Sequence, residues 1–171
     1  HPLYQAVTSD PFRYGDIERE CFDRCRAMLC HLDVYHLPSS DPDYVVEIHS
    51  DARRGAGTLS DPGNWGCVLG QRKNVAQPVF AEGFELLQLD GGSFTKGQLS
   101  WDIEKCEMFA LFKAFRQFRD FIWARHIRVI IDSKVLMSMG RSSVPVVQRW
   151  YAYCQTFDFE LIHYSGDRNA L

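Results

Sequence analysis

Three acidic residues stand where acids are costly. Asp51 follows the strand-like stretch YVVEIHS, Asp132 closes the apolar run IRVII, and Glu107 shares a helical face with Leu111, Ala114 and Phe118. A carboxylate among apolar neighbours must be protonated or matched by a cation. In α/β sheets, sites form at the C-terminal ends of strands. If the strands ending at Asp51 and Asp132 are parallel neighbours, both acids point into one crevice, and a helix packed across them adds Glu107. Carboxylates that converge without Lys or Arg between them suit Mg²⁺. Two such ions about 3.5–4 Å apart are a device for in-line attack on a phosphodiester. Each residue also has a plainer reading. Strand-end aspartates serve as caps and turn formers. A helical Glu near a helix end reaches solvent, and Glu104, one turn earlier, competes with Glu107 for the role.

The elements that must position these acids are legible in outline. Asp16 is placed to cap a helix over 16–32, whose stripe is Ile17, Cys21, Cys25, Leu29 and Leu32. HLPSSDPD at 36–43 is a loop and the best internal boundary. A strand over 44–49, a glycine-rich hairpin loop (ARRGAGTLSDPGN) and a return strand over 65–71 come next. A third strand lies within 78–89, and GGSFTKGQ at 91–98 is a loop. Ser100 is placed to cap a long helix over 101–124, with Asp102 and Glu104 in its first turn. IRVII, continuously apolar, predicts a strand buried on both faces. Short helices over 133–139 and 145–156 precede a last alternating strand over 157–164. The expected architecture is α/β: a mixed five-stranded sheet flanked by helices over 41–171, preceded by a helix and linker over 1–40.

Composition narrows the function classes. A net charge of −3 argues against a self-sufficient nucleic-acid binder, which is usually strongly basic. It leaves room for an enzyme whose site is a carboxylate cluster and whose substrate is held partly by neighbouring domains. The longest apolar runs, such as Met108–Phe112, are far shorter than the roughly 20 residues of a membrane span. The opening HPLYQAVTSDPF has neither the basic nor the apolar region of a signal peptide. Six cysteines without a CxxC pattern read as reduced core thiols of an intracellular protein. Cys30, His31 and His36 fit no standard zinc spacing.

Four segments, in order, resemble the ribonuclease H region of gypsy-type LTR retrotransposon polyproteins, where it follows the reverse transcriptase. PDYVVEIHSDA, with the helix before it, is similar to the linker leading into F-x-x-x-T-D-A-S. SWDIEKCEMFALFKAFRQFRDFIWAR is similar to Y-S-x-x-E-K-E-L-L-A-x-x-x-A-x-x-x-F-R-x-Y-L-x-G. IRVIIDSKVL is similar to F-x-V-x-T-D-H-K-x-L, and VQRWYAYCQTFDFELIHYSGDRNAL to x-R-W-x-x-x-L-x-x-F-D-F-x-I-x-Y-x-P-G-x-x-N-x-x-A-D-A-L. The resemblance implies a ribonuclease H-like fold with an extra N-terminal helix. It implies catalytic, metal-binding acids at Asp51, Glu107 and Asp132, with Glu104 matching a non-catalytic position. The family's fourth acid, in A-D-A-L, falls past Leu171, and Asp167 in the turn is no substitute. The segment between Asp51 and Glu107 is longer than the family's, through the insert at 55–64 and the loop at 91–98.

The activity so implied is cleavage of the RNA strand of an RNA–DNA hybrid during reverse transcription. Two Mg²⁺ ions, or Mn²⁺, would serve it, with Asp51 bridging both. The partners implied are the hybrid, read by shape and 2′-OH contacts, and the adjoining polymerase domain, without a membrane. Arg53, Arg54, Lys96 and Lys134 are placed to meet phosphates, or are solvated surface charges. The setting implied is intracellular: cytoplasm, virus-like particle or nucleus. A non-catalytic scaffold or interaction domain descended from such an element is the alternative, and a DDE-type transposase or integrase a weaker third.

Overall fold

The computed structural model describes residues 11–12, 14–30, 36–73, 83–132 and 136–163. The chain divides into two compact units, His1–Tyr35 and His36–Leu171. The first unit carries helix α1 (Asp16–Cys30). Its N-cap is Gly15 rather than Asp16: the Gly15 carbonyl accepts from Arg19 N, and Glu18 Oε2 reaches back to accept from Gly15 N at 2.8 Å. A glutamate at the third helical position thereby satisfies an orphan donor. Along its apolar stripe Ile17, Phe22 and Cys25 are exposed and Cys21 is half-buried.

The second unit is a five-stranded mixed sheet in the order β3-β2-β1-β4-β5, formed by β1 (Tyr44–Arg54), β2 (Gly63–Lys73), β3 (Glu85–Ser93), β4 (Ile127–Ile131) and β5 (Phe159–His163). The first three strands pair antiparallel, while β4 pairs parallel with both β1 and β5. Helix α2 (Ile103–Gln117), the short α3 (Arg119–Ile122) and α4 (Pro145–Cys154) lie in the connections, with 3₁₀ turns at Lys96–Gln98 and Leu136–Arg141. Val46 and Ile48 of β1 and Leu69 of β2 form one core with Met108, Leu111 and Phe115 of α2 and Val147 of α4. Phe115 is fully buried, with the Phe157 and Phe159 rings 5.3 and 5.1 Å away. Burial of one such side chain contributes about 1.5–3 kcal/mol.

Several boundaries differ from the sequence reading. Strands β1 and β2 run further than expected, so the hairpin loop shrinks to 55–62. Arg53 bridges to Asp61 there, and Asp61 also accepts from Ala56 N. These local bonds let the strands extend into a stretch whose glycines read as loop. β3 reaches Ser93, into the expected loop, and the start of the predicted third strand (78–82) lies outside the described residues. Asp102, not Ser100, caps α2, its carboxylate accepting from Lys105 N at 2.9 Å. The long helix breaks at Phe118, whose side chain is fully buried and whose backbone leaves helical geometry (φ −94°, ψ 8°). Of the predicted helix over 133–139, residues 133–135 lie outside the described residues, and the chain from Leu136 to Arg141 is a 3₁₀ turn.

The opposite face of β1 is polar yet closed. Glu47 and His49 alternate with Val46 and Ile48 and are almost wholly buried. Arg72 Nε donates to Glu47 Oε2 at 2.9 Å, and His49 Nε2 lies 3.4 Å from the same oxygen. Phe84 covers this group, its ring centroid 5.1 Å from the Arg72 guanidinium carbon. Gly70 makes room for it, since a Cβ there would stand 2.0 Å from the ring. Cys67, Cys106 and Cys154 are buried free thiols, as the composition suggested, and burial pushes the Cys67 thiol up to about 12. Cys30 and the neighbouring His31 lie outside the described side chains.

Candidate active site

The register of the sheet brings the two aspartates together. The parallel β1–β4 ladder ends at His49 and Ile130, and Asp51 and Asp132 each stand two residues beyond it. The shared two-residue offset keeps both on the same side of their strands, since strand side chains alternate with period two. Asp51 is not at a strand end, as expected, but inside β1, where it pairs with Gly66 of β2. Its backbone is therefore held from the antiparallel side.

Small residues bring the third acid in. Ala52 follows Asp51 and Cys106 precedes Glu107, and these two pack with Phe94 and Ala110 in a small buried cluster. An aromatic wall of Trp65, Trp101, Phe109 and Trp150 supports it, with Trp101 5.3 Å from Phe109 and Phe109 5.6 Å from Trp150, centroid to centroid. Slim side chains let α2 lie close against the far part of β1, and Glu107 then faces the aspartates. Glu104 is not part of the group.

One carboxylate oxygen from each of Asp51, Glu107 and Asp132 lies within 4.8 Å of the other two. Glu107 is 5% exposed, and its Oε2 has no hydrogen-bond partner. Among the described residues no lysine, arginine or histidine forms an ion pair with any of the three. Burial, then the charges of Asp51 and Asp132, push the Glu107 carboxyl up to about 8. Burial, then the Asp132 charge, raise that of Asp51, against a hydrogen bond from the Ala52 backbone. Three like-charged oxygen donors without a counter-cation fit a hard divalent ion, and the donor set holds no sulfur or imidazole that would favour zinc.

The basic residues singled out in the sequence are placed differently. Arg53 is engaged with Asp61 in the hairpin loop. Arg54 is exposed, and its charge helps hold Asp102 below the usual carboxylate range, after the hydrogen bonds and charge of Lys105. Lys96 is exposed on the 3₁₀ turn before α2. Lys134 lies outside the described residues. The sequence reading missed His163, whose Nε2–H donates to the Asp132 carbonyl oxygen at 2.9 Å. Its position at the end of a strand paired with β4 was the available signal.

Comparison with known proteins speaks to the family and the fold. The family model described as the RNase H-like domain found in reverse transcriptase matches residues 59–157, a span that includes Glu107 and Asp132 and begins after Asp51. The RNase H1 of the halophilic archaeon Halobacterium salinarum superposes with a TM-score of 0.52 at 18% identity, covering 71% of this chain and 86% of that one. The N-terminal RNase H domain of a Mycobacterium tuberculosis protein gives 0.50 at 18%, covering 74% and 84%. The prototype foamy virus protease-reverse transcriptase gives 0.58 at 11%, covering 96% of this chain. This chain spans only 21% of that viral protein. At such identities the structures speak for the fold. The family match extends over more than half of the chain, and the chain belongs to the RNase H-like domain family found in reverse transcriptase.

Proposed function

We propose that this domain is a metal-dependent endonuclease that cleaves the RNA strand of RNA–DNA hybrids during reverse transcription of a gypsy-type retroelement. The observation that carries the reading is the convergence of Asp51, Glu107 and Asp132 within 4.8 Å, with no ion pair to any of them among the described residues. Asp51 and Asp132 are half-buried and Glu107 is nearly closed off, and these three acids would hold the two Mg²⁺ or Mn²⁺ ions. Bound there, such ions supply an activated water for attack on the scissile phosphate and stabilise the leaving 3′-oxygen. Arg54 and Lys96, exposed near the start of α2, contact phosphates of the hybrid. Arg53 serves the hairpin loop instead.

Residues 1–40 act as the connection from a preceding polymerase domain. The exposed Ile17, Phe22 and Cys25 on α1 support that reading, because such a stripe is what a neighbouring domain covers. The setting that goes with this activity is intracellular. A non-catalytic scaffold of a domesticated element is the second reading, favoured by the net charge of −3, which is weak for a nucleic-acid binder. Asp132→Asn separates the two. It keeps the side chain's shape and removes its charge, and it is expected to lower hybrid cleavage on the order of 10²-fold or more. The metal-free variant should melt no lower than the parent, since one like charge is gone from the cluster. Equal cleavage by variant and parent contradicts the assignment, and absence of cleavage in both favours the scaffold.

A further inference from the structure

We propose that residues 36–43 are an intramolecular ligand of the sheet domain, a strap whose main chain is gripped by Gln71 and Arg125, so that a preceding domain is tethered from His36 rather than from the start of β1. The proposal rests on the reading of residues 1–40 as a connection and moves its fixed end.

HLPSSDPD, with two prolines, reads as a loop and a boundary. Its outward side chains fit that reading, since Leu37 is 85% exposed. Its backbone does not. Gln71 of β2 is 2% exposed, and its amide meets the strap twice. Oε1 accepts from Ser39 N at 2.7 Å, and Nε2 donates to the Leu37 carbonyl at 3.2 Å. One side chain thereby takes a carbonyl and the N–H two residues on, the pair that a residue of a parallel neighbouring strand would take. Glu85 sets which way the amide points. A carboxylate only accepts, and its Oε2 takes the same Nε2 at 2.8 Å, while its Oε1 takes the Tyr44 hydroxyl at 3.2 Å. Two further bonds flank the grip. His36 N donates to the Leu86 carbonyl of β3 at 2.9 Å, and Arg125 Nη1 donates to the Ser39 carbonyl at 3.2 Å. Pro38 biases Leu37 toward extended geometry. Asp41 N on Ser39 Oγ and Tyr44 N on the Asp41 carbonyl then turn the chain into β1. A buried amide without partners is costly, and the strap supplies two of the three that Gln71 has here. Release would add residues 36–43 to the tether, at most about 3.3–3.6 Å for each.

The test compares the full chain with Gln71→Met, which nearly keeps the volume and removes both bonds. Amide hydrogen exchange followed by NMR reads His36 and Ser39, and ¹⁵N relaxation gives the tumbling of α1 beside that of the sheet. In the parent both amides are expected to exchange at least about tenfold more slowly than in an unstructured peptide. Gln71→Met should lose that protection and shorten the correlation time of α1, with the amides of β1 and β4 protected as before. Cleavage of an RNA–DNA hybrid should be nearly unchanged, because Gln71 stands opposite Val46, far along β1 from Asp51. Unprotected His36 and Ser39 amides in the parent, protection that survives Gln71→Met, or α1 tumbling that does not change once protection is lost overturns the proposal. A parent that leaves the hybrid uncut overturns the nuclease reading and not the strap. Should Gln71→Met fail to fold, Ser39→Pro removes the N–H that Gln71 takes without entering the core, and His36 protection and α1 tumbling decide in the same way.

Discussion

Glu107 concentrates the electrostatics of the site. Its carboxyl titrates near 4.5 in an unfolded chain and is pushed up to about 8 in the folded one, by burial first and then by Asp51 and Asp132. Between those values the folded protein holds a proton that the unfolded chain has released. Stability of the metal-free protein should therefore fall as pH rises from about 4.5 to about 8, and this contribution is fully present below that window. Melting temperatures measured against pH in a chelator should show that slope in the parent, and Glu107→Gln should flatten it. An unchanged slope in the variant places the titration elsewhere. Glu107 was also the least decidable acid in the sequence, because Glu104 shares a similar face one turn earlier. The family motif favours Glu107, and the close packing of Cys106 and Ala110 under β1 is the physical reason it reaches the aspartates.

At the scale of elements, apolar patterning located β1, β2, β4, β5 and the long helix and only overlapped β3, expected within 78–89 and found over Glu85–Ser93, and it failed where tertiary contacts overrule local preference. The stretch over 101–124 reads as one helix because its spacing is continuous. The core draws in Phe118 and the chain breaks there, then ends α3 at Trp123 and Ala124. Ala124 has φ +58°, a left-handed conformation that costs a residue with a Cβ about 1–2 kcal/mol. The resembled family pattern carries glycine at this place. Ala124→Gly should relieve that strain, less about 0.4–1 kcal/mol for the freer unfolded chain, for a net gain of about 0.5–1 kcal/mol. A denaturant midpoint moved upward with an unchanged slope checks it. The hairpin is the reverse case. Its glycines and Pro-Gly read as a long loop, and no local rule announces that Arg53 and Asp61 would bridge and let β1 carry Asp51 inside the strand.

At the scale of the molecule, the order of elements was enough to expect a mixed five-stranded sheet, since hairpin-linked strands come first and helix-linked strands come after them. What pattern alone could not deliver was register. The equal offset of Asp51 and Asp132 beyond the β1–β4 ladder turns two separated acids into neighbours, and it depends on pairings between strands far apart in the chain. The buried Glu47, His49 and Arg72 were invisible for the same reason: an alternating strand reads as having one wet face, and here both faces are closed. Losing one partner of such a pair leaves a buried charge uncompensated. Arg72→Met should cost about 3–5 kcal/mol by chemical denaturation, while the acids of the site remain unaltered. The central claim is that the acids assembled by this register hydrolyse the RNA strand of a hybrid. Its most direct test is to incubate the chain with Mg²⁺ and a hybrid labelled in each strand, and to identify the product ends. The account predicts an intact DNA strand and RNA fragments bearing 5′-phosphate and 3′-hydroxyl ends, lost in a chelator. An uncut RNA strand, or ends carrying a 2′,3′-cyclic phosphate, would contradict it.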